Sequence, residues 1–200
     1  MRRFILIIAI CTGVLWGGPA IASYEALVRA YAAAERGDYA AALAGFRTLA
    51  EKGDSAAQYN LGVMYRRGLG VPQDYAEAIK LFRKAAERSA DFHIRTGAQI
   101  GITGMYHEGL GVPQDYAEAV KWARKAAELG AAEAQNYLGT MLEDDQGVLQ
   151  DYVQAHKWYN LAAAQGEENA GKWRDELAEK MTPSQIEKAQ TLAAEWRPKK

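Results

Sequence analysis

The feature that most constrains this chain is an internal repeat: the residues Gly68–Ala78 recur letter for letter as Gly109–Ala119. A third, diverged copy begins at Gly147, and a half-copy begins at Gly37. The tyrosine of this motif recurs at intervals of 36, 41 and 36 residues (Tyr39, Tyr75, Tyr116 and Tyr152). A fixed period of this length is typical of stacked helical repeats. The chain is therefore predicted to be a repeat protein with one five-residue insertion, placed within Glu87–Gly97.

The first helix of each unit is expected to bury a stripe of apolar residues at helical spacing: Ala57, Leu61 and Met64; Ala98, Ile102 and Met105; and Ala134, Leu138 and Met141. Gly62 and Gly139 lie inside two of these helices, where glycine costs about 1 kcal/mol relative to alanine. We expect a neighbouring helix to approach these glycines closely, because only a residue without a side chain lets two backbones come so near. Thr103 at the equivalent position predicts a looser contact in the middle unit.

The shared loop is expected to end the first helix and begin the second. Gly68 and Gly109 favour the left-handed conformation that ends a helix, and the proline four residues later cannot continue one. The aspartate at the end of each loop is expected to form a capping box with the residue three positions later: Asp74 with Glu77, Asp115 with Glu118, and Asp151 with Gln154. In the third loop, Asp144–Gln146 replaces Arg67–Leu69 and Leu149 replaces the proline, so this loop is expected to be looser or reshaped.

The second helix of each unit alternates small and large apolar residues on its predicted buried stripe: Ala78, Ile79, Phe82, Ala85 and Ala86; Ala119, Val120, Trp122, Ala126 and Ala127; and Ala155, Trp158, Ala162 and Ala163. A predicted helix pair over Tyr24–Lys52 precedes the units. Glu167–Lys180 and a helix from the capping box Thr182–Gln185 to about Trp196 follow them and are expected to cap the stack. The predicted fold class is all-α, an α-solenoid of about ten stacked antiparallel helices without a strand.

The first 22 residues have the charged, apolar and small-residue zones of a signal peptide, with cleavage expected after Ala22. The apolar run from Phe4 to Trp16 is shorter than the roughly 20 residues that a membrane helix needs. The mature chain is therefore expected to be periplasmic or secreted and not bound to a membrane. The alternative is a retained signal that anchors the chain to the inner membrane. Cys11 is the only cysteine, so a mature chain has neither disulfides nor thiol chemistry.

The predicted domain boundaries follow from these signals: a signal peptide over 1–22, an N-terminal helix pair over 23–54, three repeats over about 55–90, 95–130 and 131–166, and C-terminal capping helices over 167–200.

Few side chains in this sequence suit catalysis or metal binding. The histidines lack the spacing of a metal motif: we expect His93 in a surface loop, His156 on a buried stripe, and His107 at the end of a first helix on the presumed groove face. Glu143–Asp145 lacks the ligand spacing of a calcium loop and is expected to be a solvated helix end. No serine is paired with a base, so we expect no enzyme activity, no cofactor and no metal site. The formal net charge of −1 disfavours nucleic acid as a partner.

The repeat closely resembles the Sel1-like repeat, a relative of the tetratricopeptide repeat, over roughly Gly37–Gly166. The residues that carry the resemblance are Leu61–Gly62, Met64–Tyr65, Gly68, Gly70–Val71, Asp74–Tyr75, Ala78 and Ala85–Ala86. Met181–Ile186 also looks like the tail of many exported bacterial members. The resemblance implies an α-solenoid with a concave groove, used as a scaffold or adaptor. Some secreted members are linked to β-lactam hydrolysis, but they depend on a disulfide in each repeat, which a mature chain here lacks.

The resemblance also implies a candidate partner-binding surface. Opposite the packing stripe, the first helices carry residues that change from unit to unit: Tyr59, Val63 and Arg66; Ile100, Gly104 and His107; and Asn136, Thr140 and Glu143. This side lines the groove in tetratricopeptide-type solenoids. We therefore expect a monomer that binds a protein or peptide of the cell envelope there. Two alternatives stay open: these residues are simply exposed and unconstrained, or the chain binds or hydrolyses cell-wall glycan or muropeptide.

Overall fold

In the computed structural model, which describes residues 19–199, ten α-helices follow one another and that range contains no strand: α1 (Pro19–Glu35), α2 (Tyr39–Glu51), α3 (Ser55–Arg67), α4 (Tyr75–Arg88), α5 (Phe92–Glu108), α6 (Tyr116–Glu128), α7 (Ala132–Glu143), α8 (Tyr152–Ala164), α9 (Ala170–Ala178) and α10 (Pro183–Glu195). The all-α prediction is confirmed for these residues. Most of the predicted signal peptide, residues 1–18, lies outside the described residues. The chain divides into two compact units, one ending at Ala85 and one beginning at Ala86.

The first unit contains α1 to α3 and most of α4. The helix α2 packs against both α1 and α3. In its core, the rings of Tyr31 and Phe46 meet edge to face with 5.3 Å between their centroids. The side-chain amide of Asn60 on α3 donates to the Tyr31 hydroxyl oxygen over 2.7 Å. The polar end of this buried tyrosine is therefore paired, and the same hydrogen bond joins α1 to α3.

The second unit contains α5 to α10. Each of α6 and α7 packs against the helix before it and the helix after it, and α8 also contacts both α9 and α10. The observed α9 is shorter than the helix predicted over Glu167–Lys180. The predicted capping box at the start of α10 is confirmed, because Thr182 and Gln185 exchange two side-chain to backbone hydrogen bonds of 3.3 and 2.8 Å. The last two helices thus cover α8 within this unit.

The loops that join the two helices of each repeat share one set of hydrogen bonds. Each aspartate side chain accepts from the backbone N–H three residues later, at 2.9 to 3.0 Å: Asp74, Asp115 and Asp151. The backbone N–H of the same aspartate donates over 3.0 Å to a carbonyl of the preceding helix: Tyr65, Tyr106 and Leu142. The predicted caps are therefore confirmed, but the predicted capping boxes are wrong. Since that N–H is already used, Glu77 and Glu118 pair instead with Lys80 and Lys121.

The third loop keeps the backbone of the other two, so the expected looser or reshaped turn is wrong. Asp145 takes the left-handed conformation (φ 56°) that Gly109 adopts in the middle repeat (φ 71°). Aspartate tolerates this region better than most residues, and its carboxylate accepts from the backbone N–H of Gln150 over 3.1 Å. Gly147 must remain glycine, because a Cβ there would lie 2.3 Å from the backbone carbonyl carbon of Tyr116.

The two glycines inside first helices make room mainly for aromatic rings of the second helix. A Cβ at Gly62 would lie 2.9 Å from the ring of Phe82, and one at Gly139 would lie 2.6 Å from the ring of Tyr159. In the middle repeat, Ala123 stands where the other two repeats have these aromatic residues, and Thr103 stands where they have glycine. Both Ala123 and Thr103 are fully buried. A larger first-helix residue thus accompanies a smaller second-helix residue. The second helix therefore approaches these glycines closely, as expected, but mainly through a side-chain ring; at Gly62 the backbone carbonyl oxygen of Ala78 would also lie 3.4 Å from a Cβ.

The insertion lengthens a helix rather than forming a surface loop. The helix α5 has 17 residues, compared with 13 in α3 and 12 in α7. It begins directly after Asp91, whose carboxylate caps it by accepting from the backbone N–H of Ile94 over 3.0 Å. His93 is exposed as expected, but it lies in the first turn of α5. The local cap and the buried side chain of Ile94 explain why these residues are helical.

Paired glycine substitutions test the role of the aromatic rings. We expect Gly139→Ala to lower the free energy of unfolding by about 1–3 kcal/mol, because the methyl group overpacks against Tyr159. Gly104→Ala in α5 is the matched control, since a Cβ there meets nothing within 4 Å. It is expected to raise stability by up to about 1 kcal/mol through helix propensity. Urea unfolding followed by circular dichroism measures both, and equal effects would contradict the packing argument.

His156 lies on the buried stripe of α8 as predicted, with a side chain that is 2 % exposed. Its Nδ1 has no hydrogen-bond partner among the described residues. Burial lowers the pKa of this imidazole below its ordinary value, and the positive charge of Arg174 lowers it further, whereas Asp175 opposes the shift. The folded state therefore holds His156 neutral at a pH where an unfolded chain already binds a proton.

This difference predicts a stability that falls with acidification. As the pH drops below about 6.5, the ordinary pKa of histidine, the unfolded chain gains a proton that the folded chain resists, so the melting temperature decreases. His156→Gln is expected to show a smaller decrease between pH 7.5 and pH 5. His93→Gln, which changes an exposed histidine, is expected to keep the decrease of the unchanged protein. Identical pH profiles for all three proteins would refute the assignment.

Candidate partner-binding surface

The residues predicted to bind a partner, which we call the first-helix face, fall into two parts. Tyr59, Val63 and Arg66 lie on α3 in the first unit. Ile100 and His107 on α5, together with Asn136, Thr140 and Glu143 on α7, lie in the second unit. All of them are half-buried except Asn136, which is 8 % exposed. The structure therefore brings these residues together in two groups of side chains.

On α3, the first-helix face is built around the ring of Phe82. The Tyr59 ring packs against Phe82 at a tilt, with 5.8 Å between centroids. The guanidinium carbon of Arg66 lies 5.8 Å from the centroid of the same ring, within the range of a cation–π contact. Because Gly62 leaves space for this ring, Tyr59 and Arg66 rest on a buried aromatic platform. The platform holds the aromatic and cationic side chains of α3 in defined positions.

On α5, His107 is held by residues of its own repeat and of the next one. Its Nε2 lies 3.1 Å from the side-chain oxygen of Gln146, in the loop after α7. Its ring also meets the ring of Tyr116 edge to face, with 5.3 Å between centroids. Its backbone carbonyl accepts from the side chain of Gln114 over 2.7 Å. His107 therefore joins the end of α5 to both α6 and the following loop, which fixes the orientation of its ring.

On α7, a hydrogen-bond network occupies much of the first-helix face. The Tyr159 hydroxyl, supplied by α8, lies 3.0 Å from Glu143 Oε2 and 3.2 Å from Thr140 Oγ1. The Lys180 ammonium donates to Glu143 Oε1 over 2.9 Å. Burial raises the pKa of Tyr159 well above its usual range, and the charge of Glu143 raises it further. The hydrogen bond to Glu143 likewise raises the pKa of Lys180. The Glu143 carboxyl group thus accepts from two donors, one on each oxygen.

This network corrects one expectation about the sequence Glu143–Asp145. Glu143 is not a solvated helix end, since its side chain is 17 % exposed and joins α7 to α8 and to Lys180 after α9. Only the two aspartates that follow are exposed. Within residues 19–199, no three histidine, cysteine or acidic side chains converge in a way that could hold a metal ion. The chemistry that the face offers is hydrogen bonding, aromatic contact and one guanidinium.

Two residues that organise this face were not predicted as part of it, Phe82 and Tyr159. Each belongs to a second helix and fills the space above a glycine of the first helix. The signal in the sequence is the exchange of sizes between the two helices: glycine with phenylalanine, threonine with alanine, and glycine with tyrosine. This signal becomes visible when the three second helices are aligned position by position. The alignment places Ala123, and not Trp122, opposite Thr103.

The chain is similar to several known proteins. The family model for the Sel1 repeat matches residues 55–89, 98–130 and 132–167, more than half of the chain. The crystal structure of a Sel1 repeat protein from Oxalobacter formigenes is similar with a TM-score of 0.63 and 29% sequence identity, covering 78% of this chain and 62% of that one. The crystal structure of c5321, described as a protective antigen present in uropathogenic Escherichia coli strains with an SLR fold, is similar with a TM-score of 0.52 and 28% sequence identity. This match covers 87% of this chain and 45% of that one.

A curated relative matches over a shorter stretch. The mouse protein DAP3-binding cell death enhancer 1 is 46% identical over 43 residues, which are 22% of this chain and 8% of that protein. The chain thus spans less than two thirds of the length of each of these three relatives. The likeness to the two solved structures extends to their stacked helix pairs and supports the predicted α-solenoid class.

The network at Glu143 predicts a structural role that a stability measurement detects. Tyr159→Phe is expected to lower the free energy of unfolding by about 1.5–3 kcal/mol, since it removes a hydrogen bond to a charged acceptor. The loss is expected to shrink in a Glu143→Gln background, because the two residues act as a pair. Lys180→Ala, which removes an exposed partner, is expected to matter much less. Additive losses in the double variant would contradict this pairing.

Proposed function

Because the chain belongs to the Sel1 repeat family, whose members generally act as scaffolds for protein–protein interaction, we propose that it is an exported, non-enzymatic scaffold. The first-helix residues of each unit would contact a peptide segment or a protein of the cell envelope. The first-helix face includes aromatic, aliphatic, polar and cationic side chains, which suits a polypeptide more than a uniformly charged polymer.

The observation that carries this proposal is a contrast between positions within the repeats. Next to the first-helix face, Gln58, Gln99 and Gln135 recur in every unit and are buried. Two of them donate to a carbonyl near the end of the preceding repeat over 3.2 Å: Gln58 to Ala50 and Gln135 to Ala127. One position further along, the residue changes from Tyr59 to an isoleucine and an asparagine. The glutamine position is constant, whereas the next position, on the first-helix face, varies, as expected where partner selectivity is encoded.

Export is part of the proposal and rests on the signal-peptide pattern of the first 22 residues. The expected cleavage point, between Ala22 and Ser23, lies inside α1. From Ile21 onward, the first buried residue of this helix is Ala30, which supports a mature chain that keeps the core of the first unit. Within residues 19–199, no helix combines the length and apolarity needed to cross a bilayer.

Site-specific crosslinking in the native cell tests the proposal. A photo-reactive amino acid at Tyr59 or at Ile100 is expected to capture one defined protein, which mass spectrometry identifies. The control position is Lys188, an exposed residue of α10, which is expected to capture nothing. Capture at Tyr59 is expected to fall with Arg66→Ala, and capture at Ile100 with His107→Ala. The intact mass of the recovered chain is expected to correspond to a protein that begins at Ser23.

Two outcomes would overturn this function. Equal capture at Lys188 and at the first-helix positions would mean that the first-helix face has no selectivity. Capture of peptidoglycan fragments instead of a protein would favour the glycan-binding alternative, and turnover of muropeptide by the purified chain would then be measured. A mass that includes the first 22 residues would contradict signal cleavage but not partner binding.

A further inference from the structure

A second surface, separate from the first-helix face, lies along α6. A groove of about 490 Å³ is lined by the outward side of this helix and by Gly147 and Val148 of the following loop. Its apolar lining includes Val120, Val148 and the half-buried ring of Trp122. We call these residues, with the charged side chains of α6 that line the same space, the α6 groove. All of them belong to the second unit.

Trp122 is more exposed than its position in the repeat predicts. Its counterparts are Leu81 in α4 and Trp158 in α8, which are 5 % and 2 % exposed. The indole of Trp158 is covered by Trp196, with 6.0 Å between ring centroids. The ring of Trp122 is instead approached by the ammonium of Lys125 from its own helix, 4.0 Å from the centroid. The expectation that Trp122 lies on the buried stripe is therefore wrong, and its indole forms part of an open surface.

The charges of the α6 groove are unevenly paired. Lys121 forms an ion pair with Glu118, and Glu128 forms one with Lys199 of the C-terminal tail, over 2.5 and 2.6 Å. Among the described residues, no carboxylate forms an ion pair with Arg124 or Lys125. These two cations line the groove beside the apolar residues. The groove therefore contains positive charge that the chain itself does not neutralise.

The unneutralised charge of Arg124 also affects the pKa of a neighbouring lysine. Burial lowers the pKa of Lys157 on α8, and repulsion from Arg124 lowers it further, although Glu128 partly opposes both effects. A carboxylate brought to Arg124 would relieve this repulsion and would gain a planar, two-pronged hydrogen-bonding partner. The free chain thus keeps like charges close together on a surface where a ligand of opposite charge would reduce the electrostatic cost.

The arrangement of charges limits the length of an anionic ligand. Glu118 and Glu128 lie ten residues apart on α6, about 15 Å along the helix axis, with the unpaired cations between them. A nucleic acid carries charge along its whole length, so it would meet both carboxylates. A segment with one or two carboxylates and a neighbouring apolar side chain fits between them. The apolar side chain would contact Trp122 and Val148.

From this geometry we propose that the α6 groove binds a short acidic segment of a partner polypeptide. Its carboxylate pairs with Arg124 and Lys125, and an adjacent aliphatic or aromatic side chain packs against Trp122. This interaction uses the second helix of a repeat and is independent of the first-helix face. The chain would therefore offer two separate surfaces to polypeptides, and failure of one proposal leaves the other unaffected.

Selection from a random dodecapeptide display library, with the full chain immobilised, tests this inference. Peptides enriched on the unchanged protein are expected to combine aspartate or glutamate with an apolar residue. Enrichment is expected to disappear with the double variant Arg124→Ala/Lys125→Ala. The matched control Lys172→Ala/Lys188→Ala removes two exposed cations elsewhere and is expected to preserve enrichment. Thermal melting checks that each variant is folded, and Arg124→Gln serves as a milder second variant.

Fluorescence anisotropy with the most enriched peptide completes the test. We expect the double variant to bind about tenfold more weakly, the control to change affinity by less than about twofold, and higher salt to weaken binding. Replacing the acidic residues of the peptide by amides is expected to abolish binding. Enrichment of neutral or basic peptides, no enrichment, or binding that the double variant retains would overturn the inference. Two further outcomes would overturn it. One is that the groove only mediates self-association in sedimentation experiments, and the other is that it binds a single-stranded oligonucleotide in place of the peptide.

Discussion

The structure depends on one arrangement of hydrogen bonds, the return of each loop to the helix that precedes it. In every repeat an aspartate holds the start of the second helix with its carboxylate and the end of the first helix with its own N–H. The preceding glutamine adds a side-chain bond to the first helix, at 2.7 to 2.8 Å: Gln73, Gln114 and Gln150. Because these bonds satisfy free backbone groups at both helix ends, the helical hairpin is held by contacts within a single repeat.

The loops also set how repeats stack, since their second glycine touches the repeat before. A Cβ at Gly70 would lie 2.8 Å from the backbone of Tyr39, and one at Gly147 would lie 2.3 Å from that of Tyr116. The contact leaves little freedom to shift one hairpin along the next within a unit. Buried glutamines add a second connection, from the first helix to the end of the preceding repeat. With the register fixed in these two ways, the outward residues of the helices are free to vary.

Local signals in the sequence predicted the parts of the fold that local interactions determine. The caps at Asp74 and Thr182 depend on neighbouring residues, so their positions could be read directly. Contacts between residues far apart in the sequence could not be predicted in this way. The hydroxyl of Tyr159 reaches Glu143 because glycine at position 139 lets its ring approach α7, and the sequence alone does not show this rotation. The α6 groove was missed for a similar reason, because the exposure of Trp122 depends on what packs beside it rather than on its place in the repeat.

The two candidate surfaces arise in the same way, through departures from a repeated pattern. The helices α4 and α6 share the same lysines, arginine and glutamates at the same positions, whereas α8 keeps only one of these charges, at Lys157. What distinguishes α6 is a tryptophan in place of Leu81 and an alanine in place of Phe82. The first-helix face likewise differs between repeats in its side chains, whereas Gln73, Gln114 and Gln150 bond to backbone carbonyls of this face, which any residue supplies. A repeated scaffold supplies position and charge, and single departures from it supply selectivity for a partner.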